Sequence, residues 1–121
     1  MSDHQLFLAV FLGGKDSPRM KAWMAMPEDE RRAKEHEGIA AWKAWVEQHK
    51  ASIVEMGGPL GKTRTIGADG VTDTTNRLTG FTVVRSASHA DAAKMFEGHP
   101  HFTIFPGETI DVMPVLPIPA G

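Results

Sequence analysis

The chain has 121 residues and a formal net charge of -2 at pH 7, with 13 basic residues interleaved among 15 acidic ones. This balance excludes the clustered basic face that is typical of nucleic-acid-binding domains, so we expect no nucleic-acid partner. The absence of cysteine excludes disulfides, a thiol nucleophile and cysteine-based metal sites.

Length and patterning predict a single domain spanning residues 1–121, with a hydrophobic content of 41% that is ordinary for a globular protein. No segment approaches the ~20 consecutive apolar residues of a membrane span. The first residues also lack the cationic region and long apolar run of a signal peptide. We therefore expect a cytoplasmic protein with no membrane partner.

The first predicted element is an unbroken apolar run, Leu6–Leu12, followed by Gly13. Such a run is typical of a strand that is buried on both faces in the middle of a sheet. Ser17 then offers an N-cap and Pro18 suits the first helical position, which predicts a short helix over residues 19–26.

A long helix is predicted over residues 27–56 or thereabouts, polar in its first half and apolar in its second. Acidic residues in the first turn complement the helix dipole. The second half has an apolar stripe at helical spacing, formed by Ile39, Trp42, Trp45, Val46, Ile53 and Val54. Gly57 and Gly58 predict the end of this helix.

Polar segments follow the long helix. Lys62–Ile66 is a candidate edge strand, and the turn-rich residues 67–76 predict a hairpin loop with Asp69 and Gly70 at its tight turn. The alternating pattern of Leu78–Arg85 then indicates another strand.

The last third of the chain continues with a helix and a closing strand. Ser88 is a suitable N-cap for a helix over His89–Glu97 that ends at Gly98. Residues 109–116 alternate as a strand, and Pro114 restricts it to an edge position. The resulting order predicts an α+β fold, a ferredoxin-like βαββαβ antiparallel sheet with helices on one face. Since the first strand is apolar on both sides, we expect a homodimer that covers the other face.

Five short motifs lie along residues 5–116: Gly57–Leu60, Thr79–Val84, Ala92-Ala93, His99-Pro100 and Ile110–Val115. With these motifs the chain resembles the YCII-related proteins, and most of all the DGPF branch, named for an Asp-Gly-Pro-Phe tetrapeptide. The resemblance implies a ferredoxin-like, dimeric α/β barrel with a cleft beside the sheet. Most members have no assigned activity, and one is a dehydrochlorinase of chloroaromatic breakdown.

The chain also departs from the family pattern. Asp69–Thr72 reads Asp-Gly-Val-Thr and keeps only the turn, and Asp111–Pro114 lacks the arginine of the usual Glu-Val-Arg-Pro. The suspected catalytic histidine of the family falls near Ala40 or Ala41, and its turn aspartate is replaced by His99. A matching His/Asp pair is therefore absent, which leaves at most a lyase-like or acid/base enzyme.

His99 is the candidate catalytic residue. Pro100 favours an extended backbone at His99, which positions the imidazole after the end of a helix. An ordinary histidine pKa of about 6.5 suits a general acid or base near neutral pH. The alternative is a structural histidine that bonds a backbone carbonyl and ends the helix.

His99 and His101 could together ligate a metal if both lay on an extended segment, with His89 or Asp111 as a third ligand. No zinc-type spacing supports such a site, so we expect neither a metal nor a cofactor. His101 and Asp111 remain candidate ligand-binding residues.

Trp42 and Trp45 are candidates for the apolar wall of a ligand pocket, the alternative being a core position. Arg64 could anchor an anionic substrate, or it could be an ordinary exposed arginine. The leading hypothesis is a protein that binds or transforms a small organic, aromatic ligand between the sheet and the long helix. The alternative is a non-catalytic dimeric regulatory or interaction module.

Overall fold

The computed structural model describes residues 4–119. Between these residues the chain forms six strands and four helices, in this order: β1 (Gln5–Leu12), α1 (Pro18–Ala25), α2 (Glu28–His49), β2 (Ile53–Pro59), β3 (Thr63–Gly67), β4 (Gly70–Thr74), β5 (Leu78–Ser86), α3 (His89–Lys94), α4 (Pro100–Thr103) and β6 (Thr109–Pro114). None of these helices combines the length and apolar character that a membrane span requires.

The main sheet has four strands in the order β2-β5-β1-β6, and every neighbouring pair is antiparallel. This is the ferredoxin-like order, with the β3–β4 hairpin inserted between the second and third strands of the sheet. The α+β fold class is confirmed. The predicted positions of β1 in the centre and of β6 at an edge are confirmed as well.

The prediction that the long helix runs to residue 56 is wrong at its C-terminal end. Helix α2 ends at His49, and Ile53–Pro59 forms β2, which pairs with β5. The β-branched pair Ile53 and Val54 fits a helical stripe and a strand equally well, and the pairing partner decides between them. Gly57 lies within this strand at φ 67°, where a Cβ would lie 2.0 Å from the carbonyl oxygen of Phe81. It is a bulge residue and not a helix end.

The predicted edge strand at Lys62–Ile66 exists as β3, but it lies outside the main sheet. It pairs with β4, which occupies part of the segment predicted as a loop. Asp69 lies in the turn, as predicted, and Gly70 opens β4 at φ 112°. The β3–β4 hairpin is polar and almost entirely exposed, so it has no apolar face to pack in the main sheet. The second strand of the main sheet is β2 instead.

The predicted helix starts are confirmed at two serines. The Ser17 hydroxyl accepts a hydrogen bond from the Met20 amide at 3.1 Å, and the Ser88 hydroxyl accepts one from the Asp91 amide at 3.0 Å. Both are N-cap interactions that satisfy otherwise free donors of the first turn. Helix α3 ends at Lys94, earlier than predicted, and the chain continues through turns to Gly98 at φ 68°.

The two faces of the main sheet differ. Phe7, Ala9 and Phe11 of β1 are buried on the face that carries the helices, where they pack with Val84, Trp45, Ala92 and Phe96. The alternate residues Leu8 and Val10 point to the opposite face, which none of the helices α1–α4 covers, and they are only partly buried. We call this opposite surface the open face.

The outer edge of β6 is partly closed by side chains. His89 Nε2 donates a hydrogen bond to the Val112 carbonyl oxygen at 2.7 Å, and its ring stacks on Phe7 with centroids 5.5 Å apart. Two residues further along β6, Pro114 has no N–H to offer.

Candidate functional site

His99 lies between α3 and α4, and its ring is fully buried on the helix-bearing side of the sheet. Four aromatic rings surround it. The centroid distances are 4.5 Å to Trp42, 4.8 Å to Trp45, 5.3 Å to Phe11 and 5.9 Å to Phe96. We call these four residues the aromatic box. The imidazole therefore occupies a core position between β1, α2 and α3.

The two ring nitrogens of His99 have different surroundings. Nδ1 accepts a hydrogen bond from the backbone amide of His101 at 3.0 Å, and this contact caps the start of α4. Nε2 is buried and has no hydrogen-bond partner among residues 4–119. Because Nδ1 is the acceptor, the proton of the neutral ring resides on Nε2.

Burial lowers the pKa of His99 from 6.5 to about 4, and the nearby His101 and His49 contribute in the same direction. The imidazole is therefore neutral at physiological pH. The structural alternative predicted that the His99 ring bonds a backbone carbonyl and ends the preceding helix. The ring does bond the backbone, but its Nδ1 accepts from an amide at the start of α4. A catalytic role for His99 stays a prediction.

His101 does not lie on an extended segment, because it belongs to the first turn of α4. Its Nε2 hydrogen-bonds the carbonyl oxygen of Leu12 at 2.9 Å, and its ring lies 5.3 Å from that of Phe11. Burial is the main cause of its lowered pKa. His101 thus joins α4 to the end of β1. Within residues 4–119, no three His, Asp or Glu side chains are grouped so that they could hold a metal ion.

The two tryptophans fill the space between the sheet and α2. Trp45 is 7% exposed, and its indole Nε1 donates to the Met95 carbonyl oxygen at 2.7 Å. Trp42 packs edge-to-face on Phe11 with centroids 5.3 Å apart. At this place the predicted cleft between sheet and long helix is filled by the side chains of Trp42, Trp45 and His99.

The remaining candidate residues lie on other parts of the fold. Arg64 is on the exposed β3–β4 hairpin, where it forms an ion pair with Asp73 at 3.4 Å. Asp111 is on β6, directly opposite Val10, and is therefore on the open face. Among the described contacts, none brings Arg64, Asp111 and His99 together.

Two surface clefts flank the aromatic box. The first, of about 450 Å³, lies between α3 and β6, and we call it the β6 cleft. Its apolar lining consists of Ala93, Phe96, Phe102, Ile110, Val112 and Met113. The second, of about 440 Å³, lies between α2 and the α3–α4 segment and includes Trp45, His49 and Lys94.

Sequence reasoning placed Asp111 among the ligand-binding residues but missed the apolar lining of the β6 cleft. The alternation of Ile110 and Val112 in β6 signals one apolar strand face. It does not show that Phe96 and Phe102, from the turns after α3 and from α4, complete a cleft beside that face.

No family model matches the chain, and no curated protein matches it. Among solved structures, it is similar to 5-chloro-2-hydroxyhydroquinone dehydrochlorinase from Burkholderia phenoliruptrix AC1100, in complex with 2,5-dihydroxybenzoquinone. The sequence identity is 23%, the match covers 88% of this chain and 89% of that chain, and the TM-score is 0.49. The resemblance to the YCII-related proteins stays a prediction.

Proposed function

We propose that this protein binds a small, neutral aromatic molecule in the β6 cleft. The single observation that carries the proposal is the lining of that cleft, where six apolar residues border a space of about 450 Å³. Binding sites for small organic molecules are concave, mostly apolar and in this range of volume.

The charges at the cleft define the class of ligand. Glu97 also lines it, and among residues 4–119 no basic residue does. The Asp111 side chain projects from the other face of β6, so Glu97 supplies the carboxylate. A carboxylate disfavours an anionic ligand and can accept a hydrogen bond from the hydroxyl or amino group of a neutral one. A fused or single aromatic ring with a hydroxyl group therefore fits better than a carboxylate of the same shape.

The aromatic box supports one wall of the cleft. The ring of Phe96 lies 5.0 Å from that of Trp45 and 5.9 Å from that of His99. Phe96 itself is only 3% exposed, so its position is set by these neighbours. In this proposal His99 holds Phe96 in place, and the function is binding without a reaction.

Titration of the ¹⁵N-labelled protein with 2-naphthol, and separately with 2-naphthoate, tests this function. We expect saturable shifts of the amide signals of α3 and β6 with the neutral probe, and weaker binding of the anion. Ala93→Trp fills the cleft and should abolish the shifts. The control Ala40→Trp adds the same ring to an exposed helical alanine outside both clefts and should leave them unchanged. Equal responses of the two variants would contradict the proposal.

A second function is favoured by the open face, and we propose that it forms a homodimer interface. Its central residues are Leu8, Val10, Phe81 and Val83, which are paired across β1 and β5 and only partly buried. Two copies that meet through this surface would remove it from water, as two packed sheets do in a sandwich. Such a pair of sheets would form the dimeric α/β barrel.

Sedimentation or light scattering at several concentrations tests this second function. We expect a dimer for the natural chain and a monomer for Val83→Lys, because a buried lysine at the centre of the interface is strongly unfavourable. Ile66→Lys on the exposed hairpin should remain a dimer. A natural chain that is monomeric at high concentration would refute the interface.

A further inference from the structure

Three charged residues project from the open face and form no ion pair among residues 4–119: Arg85, Asp111 and Glu55. The Glu55 carboxylate accepts a hydrogen bond from a backbone amide of its own strand, which leaves Arg85 and Asp111. Arg85 on β5 is paired with Leu6, near the beginning of β1, and Asp111 on β6 is paired with Val10, near its end. Directly paired residues of neighbouring strands project from the same face of a sheet. Both side chains therefore project from the open face, and both are exposed.

Among residues 4–119, Arg85 and Asp111 form no ion pair and no side-chain hydrogen bond. They are too far apart to meet, since four residues along a strand and two strand spacings separate them by roughly 16 Å. By contrast, Arg64 is paired with Asp73 and Arg77 with Glu108.

The two charges are placed symmetrically about Leu8. Along β1, Leu8 lies midway between Leu6 and Val10, and β1 lies between β5 and β6. The midpoint of the line from Arg85 to Asp111 is therefore at Leu8. A two-fold axis that lies in the plane of the interface, passes over Leu8 and runs perpendicular to that line places Arg85 of each copy over Asp111 of the other.

We propose that the open face binds a second copy of this chain in the register that places Arg85 of each copy on Asp111 of the other. This inference rests on the proposed homodimer and specifies its geometry. The two ion pairs form at opposite ends of an apolar centre, with the strands of the two sheets crossing at a steep angle, close to the orthogonal class of sheet packing. Complementary charges of this kind determine the register in which two surfaces meet, and they disfavour other registers that bring like charges together.

Charge reversal tests the pairing by measurement of the dimer dissociation constant in sedimentation equilibrium. Arg85→Asp and Asp111→Arg each place like charges opposite one another, so each alone should raise the dissociation constant by about tenfold or more. The double variant restores opposite charges in exchanged positions and should return to within about threefold of the natural chain. High salt should reduce the effect of each single change.

Arg64→Asp is the matched control, because Arg64 is also an exposed strand arginine but lies on the hairpin. It should leave the dissociation constant unchanged. If Val83→Lys abolishes the dimer while the double charge reversal fails to restore it, the interface is correct and the Arg85–Asp111 pairing is refuted. If the natural chain is monomeric, both the interface and the pairing are refuted. Circular dichroism of each variant shows that it is folded.

Discussion

The imidazole of His99 lies edge-to-face with the indole of Trp42, with centroids 4.5 Å apart and ring planes at 89°. The ring of His99 is fully buried and contacts four aromatic rings. Within residues 4–119, its only hydrogen bond joins Nδ1 to the backbone amide of His101. In this respect His99 resembles a core aromatic residue that also caps a helix.

Replacement of His99 by alanine should lower the free energy of unfolding by about 3 kcal/mol, because it leaves a buried cavity and removes the cap of α4. Urea denaturation measures the change. The control His36→Ala, on the exposed face of α2, should change stability by less than about 0.5 kcal/mol. A loss for His99→Ala as small as that of the control would show that the aromatic box does not depend on His99.

Stability should fall as the pH is lowered from 6.5 towards 4. The pKa of His99 is about 4 in the folded chain and has an ordinary value of 6.5 when unfolded, so between these values the unfolded state binds more protons. The stabilisation is complete above pH 6.5 and is lost as the pH falls to 4, by up to about 3 kcal/mol for 2.5 pKa units. The lowered pKa of His101 acts in the same direction.

Urea denaturation at pH 7.5 and pH 4.5 measures this dependence. His99→Phe has no titrating group at this position, and its stability should therefore fall less over the same interval. If the natural chain and the His99→Phe variant have parallel pH profiles, the folded pKa of His99 is not lowered.

Gly107→Ala should destabilise the protein by about 2 kcal/mol, because a Cβ at this position would lie 2.1 Å from the ring of His101. The ring cannot move away freely, since its Nε2 is bonded to the Leu12 carbonyl oxygen. The control Gly61→Ala has no atom within 4 Å of the added Cβ, and its thermal midpoint should be unchanged or slightly raised. Similar midpoints for the two variants would contradict the contact.

Trp45→Phe should cost about 1–2 kcal/mol, because it leaves the partly buried Met95 carbonyl oxygen without its indole donor. Trp23→Phe, on a ring that contacts Phe105 at the surface of α1, provides the comparison and should cost less. Chemical denaturation of both variants measures the difference. Equal losses would indicate that packing, and not the hydrogen bond, determines the role of Trp45.

Features that depend on neighbouring residues could be predicted from the sequence. Ser17 and Ser88 cap helices through contacts three residues away, and the apolar run of β1 requires a central strand whatever its partners are. Strand β2 could not be predicted in this way, because Ile53 and Val54 become strand residues only through pairing with β5. That pairing joins residues about thirty positions apart.

The surroundings of the candidate site likewise depend on residues that are distant in the sequence. His99 was singled out from the proline that follows it, and its extended backbone is as expected. Its surroundings could not be predicted, since the four rings of the box come from β1, α2 and the turn after α3. A local pattern can therefore identify a histidine of fixed geometry without showing whether it reaches solvent.

The contacts of His89 and Pro114 at the outer edge of β6 have a consequence for how the molecule can assemble. An unprotected strand edge recruits further strands and can extend without limit, as in fibrils. Here the bond from His89 occupies the Val112 carbonyl oxygen, and Pro114 offers no donor. At the opposite edge, β2 is interrupted by two irregularities of register. Strand addition is thus disfavoured at both edges of the main sheet. This leaves the open face for the dimer that we propose, an assembly that closes at two molecules and cannot extend.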